Sequence, residues 1–163
     1  MAVTYEPIST TTLGSATATV TFSSIPQTYT DLVLIVTAKG TGTDDLYIRC
    51  NSDTGSNYSY TYLTGNGTTA SSGRGSTNSG LLTDFYGTPS TDNNHIAVVH
   101  FMNYSNTTTY KTSLSRANRA GGGVDLVVAL WRNTNAITSL TLRLPSWSLA
   151  SGTVASLYGI KAA

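Results

Sequence analysis

Ala16-Thr17-Ala18-Thr19-Val20-Thr21-Phe22 puts an apolar side chain at every second position and threonine at the positions between. Successive side chains of a strand point to opposite faces. The spacing therefore predicts Ala16, Ala18, Val20 and Phe22 toward a core, beneath a wet threonine face. No stretch of the chain offers a competing helical period. Leu32-Val33-Leu34-Ile35-Val36 is apolar on both faces and too short for a helix between Pro26 and Gly40, so it is expected as a central strand. The run from Val124 to Trp131 has the same character. Leu140, Leu142 and Leu144 alternate with Thr141 and Arg143. Tyr110, Thr112 and Leu114 alternate with Lys111, Ser113 and Ser115, which suits an edge strand blunted by charge. Leu157-Tyr158-Gly159-Ile160 ends so near the last residue that the terminal segment is expected inside a sheet.

Clusters of Gly, Ser, Asn and Pro separate nine or ten such strands. The fold class read from this pattern is all-β: one domain over residues 1–163, with two packed antiparallel sheets forming a β-sandwich of jelly-roll or related Greek-key topology. Two segments stand outside that frame. Residues 1–12 are expected as an N-terminal arm. Residues 64–80 are almost wholly Gly, Ser, Thr and Asn, with Arg74 their only charge, and are expected as a long loop, mobile or ordered by a partner.

Composition narrows the function classes. Of 163 residues, 39% are hydrophobic and only 10% charged, against roughly 25% in an average domain, and the net charge is +1. No long-range field attracts nucleic acid or an anionic membrane, and little repulsion keeps copies of the chain apart. The longest mainly apolar run falls far short of the roughly 20 residues that cross a bilayer. No basic, apolar leader opens the chain, so synthesis in a cytoplasm is expected. Asn57, Asn66, Asn103 and Asn106 match Asn-x-Ser/Thr, as chance allows in so Asn- and Thr-rich a chain. A single cysteine, Cys50, rules out an intrachain disulfide framework and is expected as a buried, inert thiol.

Chemistry-bearing constellations are sparse. The eight acids fall mostly in turns, where Asp mimics a turn hydrogen bond, and no pair is marked out for hydrolysis. His95 and His100 lie five apart on one strand and so point to opposite faces, which denies them a shared metal. Neither a nucleophile elbow nor a phosphate-cradling glycine loop occurs. Asn51-x-Asp53-x-Gly55-x-Asn57 has the spacing of a calcium loop but meets Tyr62 where the closing Glu belongs, so a plain turn is expected. No catalytic residue, metal site or cofactor is assigned. Lys111, Arg116 and Arg119 are close in sequence but make a weak nucleic-acid signal. Ten tyrosines and two tryptophans leave carbohydrate stacking as an option, with Tyr58, Tyr60 and Tyr62 on one strand face and Trp147 in a loop.

Several segments carry a likeness: Tyr5-Glu6-Pro7-Ile8 with Thr11-Thr12-Leu13-Gly14-Ser15; Val20-Thr21-Phe22-Ser23-Ser24-Ile25-Pro26 with Tyr29-Thr30-Asp31-Leu32-Val33-Leu34; Asp53-Thr54-Gly55-Ser56-Asn57-Tyr58; and Leu157-Tyr158-Gly159-Ile160-Lys161-Ala162-Ala163. The chain thereby resembles a group of small β-rich virion proteins of tailed bacteriophages, including cyanophages. The resemblance implies a non-enzymatic structural protein of the virion, assembled in the host cytoplasm. Within that group a capsid decoration or cement protein fits the composition. It would be a homotrimer in contact with the major capsid protein or another virion protein, with neither nucleic acid nor membrane as partner. Residues 1–12 and 64–80 are then the expected contact segments, with Asn66, Arg74 and Asn78 as the polar contacts. The alternative is a tail-fibre or spike adsorption module that binds host glycans through Tyr58, Tyr60, Tyr62 and Trp147. A hydrolase of surface polysaccharide would need a carboxylate pair that the sequence does not single out.

Overall fold

The computed structural model describes residues 4–92 and 94–161, and every regular element among them is a strand. In chain order these are β1 (Tyr5–Thr12), β2 (Thr19–Phe22), β3 (Asp31–Ala38), β4 (Tyr47–Cys50), β5 (Tyr58–Gly65) and β6 (Ala70–Asn78). There follow β7 (Leu81–Leu82), β8 (His95–Met102), β9 (Lys111–Arg119), β10 (Gly123–Trp131), β11 (Leu140–Arg143) and β12 (Val154–Ile160). They form two antiparallel sheets, one of eight strands in the order β1-β12-β3-β8-β9-β10-β5-β6 and one of four in the order β2-β11-β4-β7. Neighbours distant in sequence, such as β12 with β3 and β3 with β8, are joined by chain that crosses to the other sheet, so the fold is the expected two-sheet β-sandwich.

Alternation explains the packing. Leu32, Leu34, Val36 and Ala38 of β3 face inward beside Ala97, Val99 and Phe101 of β8, and Ala129 and Trp131 of β10 continue that face. Val20, Phe22, Ile48, Cys50, Leu140 and Leu142 of the smaller sheet close on them as a single core. Each such Leu, Ile, Val or Phe withdrawn from water contributes about 1.5–3 kcal/mol. Tyr104 is fully buried and spends its hydroxyl on the Pro26 carbonyl, which ties the segment after β8 to the segment after β2.

The decisive stretch holds only in its second half. Val20 and Phe22 are buried as predicted, but Ala16 and Ala18 are exposed and the strand begins at Thr19. Ahead of it, Thr17 makes only an isolated bridge to Leu149. The expected arm is instead β1, paired along its length with β12 and kinked by a register shift between Pro7 and Ser9. Residues 1–3 of that segment lie outside the described residues. The expected loop over 64–80 is the end of β5, a tight turn and strand β6, hydrogen-bonded in register to β5. Its glycines have a packing role: a Cβ on Gly73 would lie 2.6 Å from the Tyr62 hydroxyl, and one on Gly75 2.7 Å from the Tyr60 ring.

The β9 segment departs from its reading twice. It is central rather than at an edge, and its polar set faces inward: Lys111, Ser113 and Ser115 are buried while Tyr110 and Leu114 are exposed. Backbone polar groups lie across from that inner surface. Ser115 Oγ donates to the Thr83 carbonyl at 2.7 Å, and Lys111 Nζ donates to Thr109 and Thr134 carbonyls at 2.7 and 2.9 Å. This inversion is directly testable in urea unfolding. Ser115→Leu is expected to cost about 2 kcal/mol or more, by crowding the core and orphaning the Thr83 carbonyl. Tyr110→Ser should stay within about 0.5 kcal/mol. The opposite ranking would restore the sequence-based phase.

Candidate functional site

The outer face of the eight-stranded sheet is the surface least like that of an ordinary soluble strand array. Following the register across it, Leu63 of β5 faces Leu126 of β10, then Arg116 of β9, Val98 of β8, Ile35 of β3 and Ser156 of β12. The next row runs Thr61, Val128, Leu114, His100, Val33 and Tyr158. Ile96, Met102 and Val124 extend the apolar field to either side. Eight of its apolar side chains, Ile35, Leu63, Ile96, Met102, Leu114, Val124, Leu126 and Val128, are 38–62% exposed, while Val98 is half-buried and Val33 is buried. The strands that build it, β3 and β10, are apolar on both faces, which is the one signal in the sequence that marked this surface.

A depression of about 420 Å³ lies in this face among Ile35, Val98, Leu114 and Leu126, with Tyr5, His100 and Arg116 supplying its polar atoms. His100 Nε2 is 3.0 Å from Asp31 Oδ2, and Asp31 Oδ1 also accepts the Asn103 backbone N–H at 2.7 Å. Arg116 is exposed and has no hydrogen-bond or ion-pair partner among the described residues.

A second set of titratable groups, Asp84, His95 and Asp125, is buried on the inner side. Asp125 accepts the backbone N–H groups of Phe85, Tyr86 and Gly87 at 2.9, 3.1 and 2.6 Å, and also the Thr64 hydroxyl, so it pins the segment after β7 to β10. Asp84 accepts from Leu46 N and Thr83 Oγ1, and its Oδ2 is 3.4 Å from His95 Nε2. His95 Nδ1 is bonded to the Gly87 carbonyl and therefore carries the proton. Burial pushes the Asp84 carboxyl well up and the His95 ring down to about 4, which favours a neutral pair. Both side chains are wholly enclosed, so this acid–histidine pair is out of reach of a substrate.

Among the described residues no three His, Cys, Asp or Glu side chains converge as a metal would require. The calcium-like segment is a turn. Asp53 accepts Gly55 N at 2.8 Å, Asn57 Nδ2 at 2.9 Å and Trp131 Nε1 at 2.7 Å, while Asn51 Oδ1 accepts Thr138 N and Ser139 N. Cys50 is buried and unpaired, as expected, and burial pushes its thiol far up. His95 and His100 point to opposite faces, also as expected. Lys111, Arg116 and Arg119 do not converge: the first is buried inward, the second faces outward, and Arg119 Nη1 donates to Ser90 Oγ at 3.2 Å.

The proposed contact residues all fall on the β5–β6 hairpin. Asn66 sits in its turn, where Oδ1 accepts from Thr68 N, Thr68 Oγ1 and Thr69 N. Asn106 repeats that arrangement with Thr108 and Thr109, so two of the four Asn-x-Ser/Thr matches are turn formers. Arg74 lies exposed on edge strand β6, and half-buried Asn78 pairs opposite Tyr58. The three tyrosines do share one face, but that face is inward. Tyr58 is fully buried against Trp131, with ring centroids 6.3 Å apart, which removes it from any glycan site. Tyr60 packs on the core, and Tyr62 stacks on Phe85 at 4.2 Å. Trp147 stands apart from them, half exposed, its ring lying on Gly42 beside a shallow hollow that also involves Arg143 and Thr41.

No family model matches the chain, and no curated protein matches it. Among solved structures the sandwich is similar to the alginate lyase Aly36B, with TM-score 0.40 and 9% identity over 93% of this chain and 77% of that one. It is also similar to the Caenorhabditis elegans galectin LEC-6, with TM-score 0.37 and 9% identity over 91% of this chain and 94% of that one. Likeness at that level carries no ligand or activity across.

Asp45 yields a pH prediction. Burial, then the neighbouring Asp44 and Asp125 charges, push its carboxyl up to about 6. Between its unfolded value and about 6 the native state holds more protons, so this group's contribution to stability falls as pH rises through that window. His95, held down to about 4, works in the opposite direction over an overlapping range. Asp45→Asn removes the first effect, together with the Asp45 charge that helps push Asp84 up, and leaves the His95 effect in place. Thermal unfolding should show the variant's advantage over the parent growing from pH 4.5 to 7.5, and a constant difference would refute the assignment.

Proposed function

We propose that the chain is a non-enzymatic structural subunit of a tailed-phage particle, of the capsid decoration or cement kind, which works by protein contact through the outer face of its eight-stranded sheet. The observation that carries this reading is the continuous apolar field across β5, β10, β9, β8 and β3. Monomers in water rarely expose contiguous apolar patches above roughly 300–600 Å², and larger ones mark contact surfaces. Low charge supports the same reading, since many copies at high local density repel one another weakly. The phage setting comes from the sequence resemblance, and the contact role from the face itself. Gold-labelled antibodies against the chain should decorate heads of intact particles in electron micrographs. Label confined to tail tips, or absent from particles, would overturn the head assignment.

One observation favours the adsorption reading as a second option. Trp147 offers one ring face to solvent while Gly42 backs the other, a geometry suited to stacking on a sugar ring. On the preferred reading a glycan array gives no micromolar binder. A binder at that level, lost in Trp147→Ala but retained in Tyr58→Phe, would make the chain an adsorption module.

A further inference from the structure

The outer sheet face is apolar across its middle and carries one unmatched cation there. We infer that this face is a two-fold self-association surface, on which a second copy of the chain packs with Arg116 of each copy meeting Asp31 of the other. This rests on the reading above that the face is used for protein contact, and it adds the identity of the occupant.

Three observations converge on a second copy. The first is area: with side chains such as Ile35, Leu126 and Val128 at 39–48% exposure, the apolar field amounts to something on the order of 800 Å², about what each partner contributes to a standard-size interface. The second is charge. A guanidinium covered by an apolar partner without an acid would be left buried and unpaired, which is costly, so the occupant must bring a carboxylate. Asp31, on the same outward side of β3, is available: it is partly exposed and retains acceptor capacity beyond His100 and the Asn103 amide.

The third is placement. Arg116 shares a row with Ile35, and Asp31 lies four residues from Ile35 along β3. Two strand spacings and four residues of rise put the two backbone positions roughly 16 Å apart, too far for the side chains to meet within one chain. A two-fold axis lying in the interface midway between them, over His100, sets each above its opposite in the other copy. An isologous contact then forms the pair twice. With that axis perpendicular to the line joining the two backbone positions, the strands of the two copies cross at roughly 70°, nearer the orthogonal than the aligned class of sheet packing.

Sedimentation velocity from about 1 to 100 µM tests it over the range expected of a modest interface of this size. The expected result is a monomer–dimer equilibrium. Leu126→Lys, at an exposed position, should weaken it at least about tenfold while leaving the circular-dichroism spectrum unchanged. Arg116→Asp alone and Asp31→Arg alone should each weaken it, and the double exchange should restore most of the affinity, because the reversed pair forms again across the axis. A monomer throughout, a trimer, or a dimer indifferent to Leu126→Lys overturns the inference. Failure of the double exchange, with both single variants folded, overturns the Arg116–Asp31 pairing. A monomer that still labels phage heads would leave the proposed function standing, whereas a dimer absent from particles would leave only this inference.

Discussion

Four strands cover the inner face of eight, and that disproportion shapes most of what is unusual in the molecule. Where β2, β11, β4 and β7 lie against the large sheet, the gap fills with Leu, Ile, Val, Phe and Trp. Elsewhere along β9 and β10, parts of the inner face are closed by connecting segments, whose carbonyl and amide groups must be satisfied once water is excluded. Ser115, Lys111 and Asp125 answer that need by bonding backbone groups at 83, 109, 134 and 85–87. Polar residues therefore point inward on one flank of the sandwich, and apolar ones are left on the opposite side of the same strands.

That arrangement separates two kinds of polar residue. The enclosed Asp84–His95 pair and the Asp125 anchor hold the connections in place and face no solvent. The exposed charges near the apolar outer field, Arg116 and the His100–Asp31 pair, are the ones placed to meet something else. A burial argument thus distinguishes scaffold chemistry from recognition chemistry in a chain that contains few charges of either kind.

Much of the sandwich was legible in the sequence, and the exceptions have physical causes. Segments β3 and β10, apolar on both faces, β11 with its alternating leucines, and the terminal segment β12 all form strands where the sequence placed them. Strand β6 has almost no apolar side chains to alternate; it is held by main-chain pairing to β5 and by glycines that admit the Tyr60 and Tyr62 rings, neither of which leaves a periodic trace. Strand β1 is similar, and its proline and register shift mask the strand further. For β9 the alternation was correctly seen but its phase was inverted, because periodicity says that two faces differ and not which one meets loop carbonyls. The outer field depended on strand order, which brings β10 and β3 to within two strands of each other. The aromatic reading failed at Tyr58 because a ring on a half-buried strand fits a core and a sugar equally well until its neighbour, here Trp131, is known.

Cys50 gives the fold an internal reporter. It is the chain's sole cysteine, ends the inner strand β4 of the small sheet opposite Leu140, with its backbone N–H on the Tyr58 hydroxyl, and is completely shielded. An aromatic disulfide reagent can reach that sulfur only when the two sheets part, so the velocity of chromophore release measures how often the sandwich breathes. A clamp that bound the outer face and stiffened the large sheet would slow that release without touching the thiol.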